Sequence, residues 1–423
     1  MQSNENAVVV YPCGRLSGEI RLQGAKNSVL PIMAAALLNK GVSVLHNCPE
    51  IADVYIMAEL LKICGCSVEF CNHTMTIDAE NADNGVIDGE YGTKMRASVI
   101  LMGSCLGRFG RFVMPPPGGC AIGKRPVDFH VDAMRRLGAH VESEDGGIDA
   151  YTGKEGLKGS MIKLPFPSVG ATQNTLLAAM CAAGITTIRN ASMEPEIWDL
   201  CDFLRLFGAR IDGERTGTIT VEPGTGEYRC EVEYTVPADR IVAGTILTAA
   251  AGCTGNVYIP NIECSRIGSV IKYLGARASS DGVGVIMNTD RRKELECVIS
   301  TGPFPEFPTD MQSIFLSLMA VSGSFSIMEE NVFDTRFAAA NELNRLGADI
   351  RTEGKLAYVY GRRRLHGGVV TAGDLRGGAA LVLAGLFAEE PVVVKGCSYI
   401  RRGYENLTGD LKSLGAKMEE FSE

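Results

Sequence analysis

A chain of 423 residues, 46% hydrophobic and 22% charged, is long enough for two or three domains with self-sufficient cores. Its net charge of −9 argues against a nucleic-acid partner. The lack of any unbroken apolar run of spanning length, and a start from Met1 to Tyr11 without basic and apolar stretches, argue against membrane insertion or export.

A cytoplasmic protein is therefore expected, in which 14 cysteines read as reduced thiols rather than a disulfide framework. Cys64, Cys66 and Cys71 cluster, but no histidine pair or second cysteine pair offers metal-ligand spacing, so no metal site is expected.

The first predicted helix covers 24–38, and past its opening turn the run Leu30-Pro31-Ile32-Met33-Ala34-Ala35-Ala36-Leu37-Leu38 is apolar all round. Such a helix is buried on every side. Segments of the same kind follow at 94–106, 168–183, 239–251, 309–321 and 374–388. Between them lies a second pattern, seen first as Leu61-Lys62-Ile63-Cys64-Gly65-Cys66-Ser67-Val68, of a helix that ends at a glycine and hands over to a strand. It returns with Gly138, Gly208, Gly275, Gly347 and Gly415, a period near 70 residues. Six α/β repeats, three to a half, predict an α/β fold of two similar lobes with internal helices and external sheets. The first lobe would span 24–236 and the second 1–23 with 237–423, the chain crossing between them near 224–239.

One loop stands outside the repeat. Pro115-Pro116-Pro117-Gly118-Gly119-Cys120 cannot lie in a helix or central strand, and Lys124 and Arg125 follow the thiol closely. An electropositive, partly exposed setting is where reactive cysteines occur. The opening turns of the apolar helices carry further polar groups: Lys26-Asn27, Arg96, Ser168 to Thr172, Asp239-Arg240, Asp310 and Arg376. Helix N-termini offer free N–H groups and partial positive charge, so this set suits a strongly acidic ligand. Thr309-Asp310 also reads as a capping sequence. Glu194 and Glu196 before Trp198 read as a charged first turn, and Arg362-Arg363-Arg364 as a solvated turn.

Gly24-Ala25-Lys26-Asn27, the Cys120 segment, Ser168-Val169-Gly170-Ala171-Thr172, Phe307-Pro308-Thr309-Asp310-Met311-Gln312, Gly373-Asp374-Leu375-Arg376 and Arg402-Gly403-Tyr404-Glu405 occur in this order. Together they resemble the UDP-N-acetylglucosamine 1-carboxyvinyltransferase family of enolpyruvyl transferases, from about Leu16 to Met418. The resemblance implies a two-domain inside-out α/β barrel. It implies transfer of enolpyruvyl from phosphoenolpyruvate to the 3-hydroxyl of UDP-N-acetylglucosamine with release of phosphate, the step that opens bacterial peptidoglycan synthesis. These two small molecules are the implied partners, with a monomer as the working expectation. No cofactor is implied beyond a phosphoenolpyruvate-derived adduct on Cys120.

By motif, the resemblance makes Cys120 the proton donor to C3 of phosphoenolpyruvate and the target of fosfomycin. Asp310 becomes the base for the sugar hydroxyl. Lys26, Asn27, Arg125, Asp374, Arg376 and Arg402 fall on the phosphoenolpyruvate side, with Lys26 and Arg402 also catalytic. Asn27, Arg96, Arg125, Pro126, Val127, Asp128, Phe129, Ser168, Val169, Gly170, Asp310 and Val332 match sugar-nucleotide positions. A thiol with a pKa of roughly 8.5 keeps its proton at neutral pH and becomes a nucleophile once it loses it. The chain departs from the family at Ala338-Ala339-Ala340 and at Gly377-Gly378, the latter predicting a looser helix start.

Three rivals are separable. The related 3-phosphoshikimate 1-carboxyvinyltransferases lack the loop cysteine and open with Gly-Ser-Lys-Ser. A silent sugar-nucleotide-binding regulator would have lost some of Lys26, Cys120, Asp310 and Arg402, and all four are present. An RNA-terminus-processing enzyme would need a catalytic histidine, and His46, His73, His130, His140 and His366 lie in no nucleophile setting.

Overall fold

Helices apolar on every side are stable only in an interior, and six such segments take that place. They are Lys26–Ala36, Leu101–Phe109, Val169–Ala179, Arg240–Cys253, Gln312–Ala320 and Leu375–Phe387. Short 3-10 turns, Arg96–Ile100 and Thr309–Met311, lead into the second and fifth. In the last three helices every residue is buried. The computed structural model describes residues 6–87, 91, 95–116, 127–144, 146–224, 228–279, 282–333 and 336–422.

The described chain divides into a central unit, between residues 24 and 237, and a terminal unit made of 6–23 and 238–422. Each has its own core, one built around the first three apolar helices and the other around the last three. Six small sheets surround these helices, and their strands bury one face against them in alternation, as in Val42–His46 and Thr218–Glu222.

Five of the sheets share one pattern, a parallel pair followed by two antiparallel pairs. In the central unit, Val232–Thr235 runs parallel to Val42–His46, which pairs with Thr74–Asp78 and through it with Ser67–Cys71. In the terminal unit, Gly368–Thr371 runs parallel to Val392–Lys395, then come Asn6–Val10 and Met418–Ser422. Leu16–Glu19 supplies the parallel partner of Gly255–Ile259 in a second terminal sheet. The sixth sheet has three strands, Arg111–Met114, Gly147–Tyr151 and His140–Glu144, with a parallel bridge from Val86 to Val113 in the fourth place.

The amphipathic helices of the repeat are Ala52–Ile63, Asp128–Arg136, Pro195–Arg205, Cys264–Leu274, Ala338–Arg345 and Leu407–Ser413. Gly65, Gly138, Gly208, Gly275, Gly347 and Gly415 follow them with φ from +77° to +108°, the left-handed region a side chain resists. At four of them a bond to the residue five positions back closes the Schellman motif: Cys66 N–H to Leu61 O (3.0 Å), Ala139 to Met134 (3.0 Å), Ala348 to Leu343 (3.2 Å) and Ala416 to Leu411 (3.0 Å).

Within each unit the buried helices approach closely. A methyl on Gly103 would lie 2.3 Å from the Asn174 carbonyl oxygen, and one on Gly252 2.2 Å from the Phe387 ring. Their C-terminal carbonyls are met by one half-buried arginine per unit. Arg108 donates to Leu37 O (2.7 Å), Asn39 O (3.2 Å) and Ala82 O (3.2 Å), as well as to Ala79 O. Arg292 donates to Gly252 O and Arg363 O, both at 2.8 Å. A cation at this end complements the helix dipoles. Among the described residues no helix is long and apolar enough to cross a membrane.

Candidate active site

In the central unit, Lys26 opens its helix with the ammonium 2.5 Å from the carboxylate of Asp53, in the first turn of Ala52–Ile63. Both side chains are largely buried, at 13% and 3% exposure, so each charge depends on the other. One turn along, the Ser28 hydroxyl donates to buried Asp199 at 2.6 Å. Asn27 stands half-buried beside them.

A second helix start gathers the sugar-nucleotide candidates of this unit. Ser168 caps Val169–Ala179 by accepting from Ala171 N–H at 3.3 Å. A methyl on Gly170 would come within 3.0 Å of the His130 ring. His130 lies on Asp128–Arg136, the helix that also carries Phe129 and begins after Val127. Its Nδ1 is 2.9 Å from the Asn174 amide, which in turn bonds Val99 O (2.9 Å) and accepts from Gly103 N–H (2.6 Å). The stretch 127–130 and the start of helix 169–179 are thus one packed assembly. Cys120, Arg125 and Pro126, and the side chain of Arg96, lie outside the described residues.

In the terminal unit the carboxylate of Asp310 is divided between two buried guanidinium groups. Oδ1 accepts from Arg336 Nη2 at 2.6 Å and Oδ2 from Arg376 Nη2 at 3.0 Å. The capping role that Thr309-Asp310 suggested is not taken up, since no side-chain bond caps this helix start. Burial pushes the Asp310 carboxyl up, but Arg376 and then Arg336 outweigh it and hold the group well below the usual carboxylate range. Asp310 keeps 26% of its side chain exposed, against 5% for Arg336 and 4% for Arg376. Among the described residues Nε of Arg376 and Nε of Arg336 have no hydrogen-bond partner, while the Tyr404 hydroxyl stands beside the Arg376 guanidinium. Buried donors in that state suit an oxyanion.

This pair is held by a ring of further groups. Arg336 Nη1 donates to the Thr309 hydroxyl (2.9 Å), which donates to the buried carboxylate of Glu330 (2.8 Å). Glu330 also accepts the N–H groups of Val332 (2.9 Å) and Phe333 (3.0 Å), so the segment carrying Val332 is tied to the turn carrying Asp310. Arg376 lies with its guanidinium 5.3 Å from the centre of the buried Tyr404 ring, whose hydroxyl meets that of Thr245 at 2.8 Å. Gln23 grips the same motif, donating to Gly403 O (3.0 Å) and accepting from Glu405 N–H (2.7 Å). Arg402 closes the adjoining 3-10 turn, Ile400–Arg402, and is half-buried.

Asp374 caps Leu375–Phe387 by accepting from Arg376 and Gly377 N–H, both at 2.9 Å. The glycines after it do not loosen the helix start. A methyl on Gly377 would lie 2.8 Å from Asp374 Oδ2 and one on Gly378 2.7 Å from Ile400, so both positions are small because the packing is tight. Ala339, from the run of alanines, packs against the same place.

Sequence reading passed over Asp53, His130, Glu330 and Tyr404 as site residues, and treated Arg336 as a landmark only. Asp53 and His130 occupy the first turns of amphipathic helices and Glu330 follows a strand. Of these, only Arg336 and Tyr404, inside or beside quoted motifs, offered a local signal.

Comparison with known proteins gives consistent results. The family model described as EPSP synthase (3-phosphoshikimate 1-carboxyvinyltransferase) matches residues 10–411. The UDP-N-acetylglucosamine 1-carboxyvinyltransferase 2 of Caldanaerobacter subterraneus subsp. tengcongensis is 43% identical over 95% of this chain and 96% of its own. The UDP-N-acetylglucosamine 1-carboxyvinyltransferase of Wolbachia pipientis subsp. Culex pipiens is 42% identical over 95% of this chain and 96% of its own. Among solved structures, the enolpyruvyl transferase NikO from Streptomyces tendae superposes with a TM-score of 0.86 at 23% identity, covering 99% of this chain and 100% of the other. An EPSP synthase from Acinetobacter baumannii gives 0.75 at 18% identity, over 98% and 99%. These two likenesses establish the two-domain α/β fold.

Proposed function

Since this chain belongs to the UDP-N-acetylglucosamine 1-carboxyvinyltransferases, within the EPSP synthase family, we propose that it transfers enolpyruvyl from phosphoenolpyruvate to the 3-hydroxyl of UDP-N-acetylglucosamine and releases phosphate. The reaction opens peptidoglycan synthesis and belongs in the cytoplasm, where both substrates are made. The observation that carries the reading to the site is the Asp310 carboxylate flanked by Arg336 and Arg376, with buried guanidinium N–H groups still able to bind an oxyanion.

The family resemblance implies the chemistry. The Cys120 thiol gives its proton to C3 of phosphoenolpyruvate, leaving C2 electron-poor. The sugar oxygen attacks C2 and its proton passes to Asp310. A carboxylate weakened as a base by two cations suffices, because the hydroxyl becomes strongly acidic only as its bond to C2 forms. The tetrahedral adduct then loses a C3 proton and phosphate, restoring the double bond. Lys26, Arg125, Arg376 and Arg402 balance the phosphate and carboxylate charge, with Asn27 and Asp374 on the same side. Arg96, Arg125 to Phe129, Ser168 to Gly170, Asp310 and Val332 receive the sugar nucleotide. The lobes are 24–236 and the remainder, and the thiolate of Cys120 can add to C2 as a covalent adduct.

Purified protein should release phosphate from phosphoenolpyruvate only with UDP-N-acetylglucosamine present. Silence at saturating substrates, with the protein folded, overturns the reading and leaves a binding role. Release driven by shikimate 3-phosphate instead would assign the chain to the activity that names the family model. Fosfomycin should add to Cys120, and an intact-mass spectrum without that adduct would remove Cys120 as the reactive thiol.

A further inference from the structure

Cys13 and Cys253 lie far apart in sequence and meet in the terminal unit. Cys13 sits between the strands Asn6–Val10 and Leu16–Glu19, and Cys253 ends the buried helix Arg240–Cys253. Both reach one acceptor: the backbone N–H of Cys13 bonds Leu386 O at 2.9 Å and the Cys253 thiol points at the same oxygen at 4.0 Å. The flanking backbone is pinned, with the Thr254 hydroxyl on Gly14 O (2.9 Å) and Leu16 N–H on Thr254 O (2.9 Å). The two side chains are thereby brought to one place beside the Leu386 carbonyl.

Their surroundings give them different parts. Cys13 is half-buried between exposed Pro12 and Gly14, whereas Cys253 is buried. The hydrogen bond from Cys253, helped by the Arg15 backbone and opposed by burial, draws the Cys13 thiol down to about 7. The same bond, together with burial, holds Cys253 well above the ordinary thiol range, against the pull of Arg292. Other described cysteines contrast with Cys13, since burial pushes Cys48 and Cys66 up to about 12 and Cys181 and Cys397 up to about 11.

We propose that Cys13 and Cys253 form a redox-active dithiol, a modification site in which Cys13 is the attacking thiol and Cys253 the resolving one, with a small-molecule disulfide such as oxidised glutathione as the oxidant. The Cys13 thiolate attacks one sulfur of the oxidant, forming a mixed disulfide and expelling one glutathione thiolate. Cys253 then loses its proton to solvent and attacks the Cys13 sulfur, expelling the second glutathione. The two protein thiols are oxidised by two electrons and the oxidant is reduced to two thiols. The product ties the connection after the first strand to the end of a core helix. It is independent of the reading of the catalytic site.

The test treats folded full-length protein with oxidised glutathione at neutral pH, digests it without reduction and maps the peptides, which separates this pair from any adduct on Cys120. The expected result is a linked pair of peptides holding Cys13 and Cys253, lost on adding dithiothreitol. In Cys253→Ser the expected result is a stable glutathione adduct on the Cys13 peptide. Absence of both the linked pair in the wild type and the adduct on Cys13 in the variant would overturn the proposal. So would pairing of either cysteine with another partner. If the variant fails to fold, iodoacetamide labelling of the wild type decides: Cys13 should label roughly tenfold faster than Cys264 and Cys297 at neutral pH, and equal rates reject it.

Discussion

The two units share a repeat, a sheet pattern and a placement of glycine caps, yet they handle charge in opposite ways. In the central unit one cation, Lys26, is held by one buried carboxylate, Asp53. In the terminal unit one carboxylate, Asp310, is held by two buried cations, Arg336 and Arg376. The first sets one cation against one carboxylate in a largely buried place. The second sets two guanidinium groups on one ionised carboxylate, with Glu330 reached through Thr309. Similar backbones have therefore been given dissimilar electrostatics, and the chemistry lies in a few side chains at helix starts.

The sharpest way to break this contrast is to remove the carboxylate of the terminal unit. Asp310→Asn should lower kcat for phosphate release by about 10²–10⁴-fold. Full activity would make Asp310 a structural group. The same pairing predicts the pH response. Because the folded-state pKa is depressed, the stabilisation from Asp310 is present above its unfolded value of about 3.9 and is lost as pH falls through the lower folded value. Acid titration monitored by circular dichroism should show the wild type losing stability relative to Asp310→Asn only below about pH 4.

Asp53→Asn, which removes the carboxylate beside Lys26, should destabilise the protein by about 3 kcal/mol and raise KM for phosphoenolpyruvate. An unchanged melting temperature would mean that this ion pair contributes nothing to stability. The far ends of the buried helices sharpen the comparison. Arg108 holds more carbonyls than Arg292, so Arg108→Ala should cost about 2 kcal/mol and Arg292→Ala about 1 kcal/mol. Equal losses in urea unfolding would show that the two plugs are equivalent. An effect as small as that of Arg292→Ala is expected at the caps, where Gly65→Ala should cost about 1 kcal/mol through its left-handed φ. A stabilising result would contradict the cap.

The six caps and six apolar helices were legible in the sequence because their causes are local. A left-handed residue after a helix asks for glycine, and a helix without a polar face asks for an interior. The partners of the charged groups were not. Lys26 and Asp53, or Asp310 and Arg376, are joined only by the way repeats stack, and no spacing announces it. Gly377-Gly378 was misread for the same reason, since a glycine that permits motion and one that permits contact look alike until Asp374 and Ile400 are placed beside it.

The strand Asn6–Val10 lies between Val392–Lys395 and Met418–Ser422. A ribosome makes this strand well before its two neighbours, so it must wait, unpaired, while all the chain between them follows. The central unit has no such debt to the C-terminus: its closing strand, Val232–Thr235, emerges long before synthesis ends. The nascent protein should therefore acquire a protease-resistant core in its central unit first, with the strand Asn6–Val10 becoming ordered only together with Val392–Lys395 and Met418–Ser422.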